Sequence, residues 1–414
     1  MVANQFTYRP LPVRLVNGIG RFLRRAGRRG VSLSANGLMD AAVKKTGLSD
    51  FGDSSFQTGL NKLVDAWETE SQLTLVGRFI VREFCLGLLT NRLRFAQTCK
   101  DYPAISAQPI SRPIFVIGLP RTGTTFLHRL LTQDPAARCF YTWETFEFVR
   151  PYDPDAYDQD PRIKQVAQQM KSVAYMAPDM QHKHPIGATE PEECIPLLAQ
   201  TFVSPLMFNS MTRVPSYIAW LDGQELEPSY RYFKQMLQML QLGFPPKHWV
   251  LKSPGHLCRL DALLAAFPDA CIVQTHRHPA KAIPSWCSLV ATMRGMTSDA
   301  IQPQAIGEEW SRRWAELAER VTEVRKTAVS TQFFDVNYHD LIADPIQTVR
   351  DIYTYFDHPF TPELEQRMHT WQHNNQQHKH GVHRYSLSQF GLASEQLNRL
   401  FAPYLNAHPQ PSDV

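Results

Sequence analysis

Residues 114–125 read Ile-Phe-Val-Ile-Gly-Leu-Pro-Arg-Thr-Gly-Thr-Thr. Four apolar residues suit a buried strand, Gly118 and Gly123 bracket a tight turn, and two threonines open a helix. A strand that turns on glycines into a helix brings backbone N–H groups and the positive end of the helix dipole to one point, which makes an anion site. The unit also commits its surroundings, because so short and apolar a strand is buried on both faces. Downstream, short apolar runs again precede helical stretches: 249–251 before 256–267, 271–275 before 280–294, and 333–336 before 345–356. The alternation predicts an α/β fold, a central parallel sheet flanked by helices.

Upstream the pattern differs. Residues 54–95 read as helical, with Leu60, Leu63, Val64 and Trp67 at helical spacing and a second helix over 75–94. Prolines punctuate 103–113. The expected organisation is a helical N-terminal region over 1–110 and a phosphate-loop domain over 111–414. In the first thirty residues Arg14, Arg21, Arg24, Arg25, Arg28 and Arg29 punctuate Leu15, Val16, Ile19, Phe22 and Leu23. Two readings stand: a segment lying on an anionic membrane surface, or a solvated arm packing a few apolar side chains onto the domain. Gly18, Gly20 and Gly27 weaken a helix there. A net charge of +4 over 414 residues does not point to a nucleic-acid partner. No apolar run is long enough to span a membrane, and the first residues lack the apolar core of a secretory signal. Seven scattered cysteines without a Cys-x-x-Cys pair suit reduced thiols and a cytoplasmic location. Nothing in the sequence fixes the oligomeric state.

The glycine loop departs from that of a kinase or ATPase. Gly118 and Gly123 stand at the Gly-x4-Gly spacing, but the next position is Thr124 rather than Lys, and the cation sits inside the loop as Arg121. A kinase or NTPase would also have an apolar strand ending in a Mg²⁺-binding Asp, whereas the strand at 271–275 runs into His276 and Arg277. One cation in the loop suits sulfuryl transfer, in which charge grows on the bridging oxygen of the leaving phosphate and no metal is required. A non-catalytic nucleotide-binding module is the third reading, and it predicts no base beside the loops.

Gly-Leu-Pro-Arg-Thr-Gly-Thr-Thr resembles the 5′-phosphosulfate loop of the sulfotransferase superfamily that uses 3′-phosphoadenosine 5′-phosphosulfate (PAPS). It is most similar to bacterial members with Arg in the loop and a helical N-terminal extension. The resemblance implies PAPS as sulfuryl donor without a metal, a hydroxyl of a small or lipophilic acceptor, and a donor cradle of Arg121, Thr122, Gly123, Thr124 and Thr125. It implies a 3′-phosphate site at Arg277, after a strand, and Ser285, eight positions on. Lys379-His380-Gly381 through Arg384 is similar to the late basic-glycine loop of the family, which brings in Lys379 and Arg384. Tyr338, in Val-Asn-Tyr-His-Asp-Leu, resembles the segment that approaches adenine.

The attacking hydroxyl needs a base within hydrogen-bond reach. The resemblance offers His256, in Lys252-Ser-Pro-Gly-His256-Leu, with two residues more than the family's Lys-Thr-His-Leu. It also offers Glu144, 23 residues after Arg121. Thr189-Glu190-Pro191-Glu192-Glu193 reads locally as a capped helix start, with acidic side chains as dipole partners. It also resembles the Pro-Glu-Glu stretch lining the acceptor side, so Glu190, Glu192 and Glu193 are substrate candidates. His182, His184 and the histidines at 373, 378, 380 and 383 lack Cys or carboxylate partners at zinc-site spacing, and no metal is expected.

Overall fold

The computed structural model describes residues 6–28, 30–149, 154–184, 186–375 and 385–410. Lys379 and Arg384 lie outside them. Among the described residues five parallel strands form the sheet: β1 (Ile114–Gly118), β2 (Ala137–Arg138), β3 (His248–Lys252), β4 (Cys271–His276) and β5 (Phe333–Asn337), in the order β2-β3-β1-β4-β5. Central β1 pairs Val116 with Lys252 of β3 and Gly118 with Thr275 of β4. The C-terminal ends of three strands therefore meet at the glycine loop.

Every β1 residue is buried, and its side chains alternate between two apolar layers. Ile114 and Val116 join Leu127, Leu130, Val349 and Ile352 on one face. Phe115 and Ile117 join the larger cluster on the other, which includes Phe233, Phe267 and Leu289. That cluster also holds Leu38, Leu60, Trp67 and Leu89 from the N-terminal helices, so residues 1–110 share a core with the sheet. These helices are α1 (Leu11–Arg25), α2 (Ala35–Thr46), α3 (Phe56–Thr69) and α4 (Leu75–Asp101), and α5 (Thr124–Leu131) follows the loop.

Three local expectations are corrected. The basic arm is a helix despite its glycines, because Gly20 lets α1 lie against α4: a Cβ there would come within 2.5 Å of the Leu75 Cβ. The stretch at 256–267 opens as a 3₁₀ turn, Pro254–Arg259, before the helix Leu260–Ala266. Thr189-Glu190-Pro191 does not start a helix. The Glu192 N–H donates to the Phe140 carbonyl at 3.0 Å, the Cys194 N–H to the Lys252 carbonyl at 3.0 Å, and Pro191 bridges Tyr141. Long-range backbone pairing overrides the local cap, and the helix begins at Ile195.

Candidate active site

The glycine loop is built to its shape by close contacts. Gly118, at φ +147°, leaves no room for a Cβ against Thr275 of β4. At Gly123, φ +91°, a Cβ would stand 2.9 Å from Leu341 and 3.2 Å from the Tyr338 ring. Thr122 is fully buried and locks the turn: its hydroxyl donates to the Leu119 carbonyl at 2.7 Å and pairs with Thr275 Oγ1 at 2.5 Å. Arg121 takes φ +70°, a left-handed conformation that costs a side chain-bearing residue energy. Its guanidinium donates to the Lys183 carbonyl at 3.0 Å. Arg121, Gly123, Thr124 and Thr125 line one large cavity of about 710 Å³.

Arg277, just past the end of β4, lines the same cavity. It donates to the Arg121 carbonyl at 3.2 Å, and its guanidinium lies 3.9 Å from the centre of the Tyr338 ring, which also faces the cavity. The loop arginine and the strand-end arginine, 156 positions apart, are thus neighbours. Ser285 is buried in the helix Pro279–Thr297 and does not reach the cavity wall, although the next residue, Trp286, does.

Beside α5 lies a charged cluster whose members the sequence did not bring together. Lys252, the last residue of β3, is almost fully buried and forms an ion pair with Glu193. Its ammonium also donates to Thr125 Oγ1 at 3.2 Å. His184 Nε2 stands 3.6 Å from Glu193 Oε1. Burial alone would raise the Glu193 carboxyl, but Lys252 and His184 outweigh it and hold the group down to about 2. His184, Glu192 and Glu193 line the cavity.

The two candidate bases from sequence lie elsewhere. His256 is fully buried off the cavity wall, its Nδ1 shares a 2.9 Å hydrogen bond with the Tyr230 hydroxyl, and its ring stands edge-on to Phe115. Burial pushes it down to about 3. The Pro254–Gly255 step carries the chain into a 3₁₀ turn and the ring under the sheet. Glu144 is also fully buried: Oε1 accepts from Arg138 at 2.7 Å and Oε2 from the Tyr141 N–H at 2.9 Å. Both oxygens are engaged in holding a helix start, away from the cavity. Glu190 points to Arg129 at 3.2 Å and does not line the cavity either.

Much of the remaining wall is apolar, with Phe146, Met170, Val173, Ile186, Leu289 and Met293, and Thr142, Gln181, Ser210, Gln372 and Asn375 add polar groups to it. Elsewhere, His276, Asp335 and His408 come within reach of a single ion. His276 already shares its Nδ1 with the Tyr404 hydroxyl at 3.0 Å and its Nε2 with Asp335 at 2.8 Å, and Arg325 holds Asp335. The trio is knitted together by its own bonds and lies away from the cavity.

A parallel sheet flanked by helices, whose central strand feeds an arginine-bearing glycine loop, places the chain among the α/β transferases. Within that class the chain belongs to the sulfotransferase family, whose pattern matches residues 113–362, and it is a sulfotransferase. Sulfotransferase STF1 from Mycobacterium tuberculosis H37Rv is similar in structure with a TM-score of 0.81 at 37% identity, covering 91% of this chain and 100% of that one. Sulfotransferase STF9 from Mycobacterium avium gives a TM-score of 0.84 at 29% identity, covering 92% and 97%. The omega-hydroxy-beta-dihydromenaquinone-9 sulfotransferase Stf3 of Mycobacterium bovis is 25% identical over 288 residues, 66% of this chain and 68% of that protein. Among the described residues no helix is long and apolar enough to cross a membrane.

Proposed function

We propose that this sulfotransferase takes its sulfuryl group from PAPS and passes it to a hydroxyl on a lipophilic acceptor, with His184 and Glu193 handling the proton. The observation that carries the reading is one cavity with a cationic end, Arg121, Arg277 and the loop at the start of α5, and a long apolar wall. Loop N–H groups at a helix start suit a 5′-phosphosulfate. Arg277, braced on Tyr338, suits the second phosphate. The largely apolar wall, and the omega-hydroxy-beta-dihydromenaquinone-9 in the name of the relative Stf3, favour an alcohol on a greasy body.

When bound, the donor supplies a sulfuryl group whose sulfur gains a bond to the acceptor oxygen as its bond to the 5′-phosphate oxygen breaks. The chain's own groups then have separate tasks. His184 accepts the hydroxyl proton, and Glu193 holds the imidazole in line. Arg121 faces the negative charge that gathers on the leaving oxygen, while Lys252, behind the wall, holds Thr125 of the loop and Glu193 in place. Arg277 and Tyr338 fix the far end of the nucleotide.

The test is thermal stabilisation by adenosine 3′,5′-bisphosphate compared with ATP and Mg²⁺. The bisphosphate should raise Tm much further, and Arg277→Ala should abolish the difference. Equal shifts for the two nucleotides would remove PAPS as donor. Incubation with PAPS and a lipid extract, followed by mass spectrometry, should yield sulfated lipophilic products.

A further inference from the structure

Helix α1 is packed inside out. A helix on the surface of a soluble protein turns its apolar stripe to the core and its polar residues to water. Here the buried residues of α1 are Asn17 and Gly20. Asn17 Oδ1 accepts the Val76 N–H at 3.0 Å, capping the start of α4, and Gly20 lies directly on Leu75. Both contacts fix the rotation of the helix about its axis. The side left facing outward carries Leu11, Leu15, Ile19 and Phe22, spaced four, four and three residues apart, with exposures of 65%, 63%, 58% and 72%. Phe79 of α4, one turn after Leu75, is also exposed.

The flank of this greasy stripe is cationic. Arg14, Arg21 and Arg25 lie along one side of the helix and Arg28 extends the charge past its end, all four exposed, while Arg24 turns to donate to the Leu73 carbonyl at 3.1 Å. The carboxylate that meets this flank is Asp299, 3.7 Å from Arg21. An apolar face beside a row of arginines matches a surface that is greasy within and negative at its rim.

We propose that α1 is an interfacial anchor that lays Leu11, Leu15, Ile19 and Phe22 into an anionic lipid bilayer, with the arginines at the headgroups. The chain entering α1 also reaches a residue behind the cavity wall: the ammonium of Lys183, whose carbonyl holds Arg121, stands 5.4 Å from the centre of the Phe6 ring. Docking therefore brings the lipid surface within a few residues of the site. Anchoring through α1 does not depend on the identity of the donor or the acceptor.

Flotation of the full chain with vesicles tests it. The protein should bind phosphatidylcholine vesicles containing phosphatidylglycerol, bind pure phosphatidylcholine far less, and come off the anionic vesicles several-fold as salt is raised. The double variant L15S/F22S should lose about tenfold or more in partitioning, since two large apolar groups no longer enter the bilayer. R14E/R25E should lose the preference for anionic lipid. Both variants should keep the wild-type Tm, because these side chains face outward; if L15S/F22S does not, R14E/R25E decides alone. Equal binding to both vesicle types, no binding, or wild-type behaviour of the variants would overturn the proposal. So would a wild-type dimer that L15S/F22S converts to monomer without vesicle binding, which would make a second copy of this chain the cover.

Discussion

The Lys252 ammonium at the end of β3 lies 3.2 Å from Thr125 Oγ1 on the first turn of α5, and it does so while paired with the half-buried Glu193. One cation thus ties the strand, the phosphate loop and the acceptor side together. Lys252→Met should leave the half-buried Glu193 without its main cation and cost about 1–3 kcal/mol. The double variant K252M/E193Q, which removes both charges, should recover most of that stability. It should not recover turnover, because Thr125 and His184 both lose their charged partners. Urea denaturation and kcat measured on the same two proteins separate the effects. Full turnover in the stable double variant would take Lys252 out of the chemistry.

The proton-handling assignment separates two histidines of one sequence. His184→Gln should lower kcat by about 10²–10⁴, the usual contribution of a placed base, with little change in Tm, since the side chain lines an open cavity. His256→Ala should behave oppositely. It removes the bond to Tyr230 and leaves a void beside Phe115 and Phe233, so stability should fall by about 2–4 kcal/mol while the kcat of the folded fraction persists. If His256→Gln were the variant that lost turnover at wild-type stability, the two roles would be exchanged.

These two histidines differ in how far the chain discloses them, and so do the elements around them. The strand-loop-helix at 114–131 was legible because a short apolar run, two glycines and a helix start are local features. Arg277 was singled out through its resemblance to the family's strand-end motif, and β4 does end one residue before it. The same signal, Lys252 at the end of β3, could have flagged that residue, but the motif drew attention to His256 instead. His184 was missed because its partnership with Glu193 is tertiary: no spacing rule connects them, and only the backbone pairing of residues 190–194 with Phe140, Tyr141 and Lys252 brings Glu193 to the cavity. The helix Glu227–Gln241 puts Tyr230, Phe233, Met236 and Leu240 into the core. Local chemistry is written in neighbours, whereas the His184, Glu193 and Lys252 cluster is assembled by tertiary pairing.

Acid should unfold this protein in two stages. Burial holds His128 and His256 down to about 3, far below the ordinary value of 6.5. As pH falls below 6.5 the unfolded chain takes up these protons first, so stability is full above that pH and is lost progressively toward 3. Each histidine contributes a slope of up to about 1.4 kcal/mol per pH unit. Glu193, held down to about 2 against an ordinary 4.5, adds a second loss that begins below 4.5. Urea midpoints followed from pH 7 to pH 4 should fall, and His256→Gln should flatten the fall. A midpoint independent of pH over that range would show that these histidines are protonated in the folded protein.

Arg121 sets activity against stability. Its backbone sits at φ +70°, where glycine is at ease and arginine is strained, so Arg121→Gly should relieve about 1 kcal/mol in the loop. The same change removes the guanidinium that faces the developing charge and should cost about 10²–10³ in kcat. Arg121→Lys should fall between, keeping a point charge but not the planar fork, and it inherits the strained backbone. The ordering in Tm is then Gly at or above Arg, with Lys no higher than Arg, while the ordering in turnover is Arg, Lys, Gly. A glycine variant that is both less stable and fully active would mean that the side chain serves the loop's shape through its bond to the Lys183 carbonyl rather than the reaction.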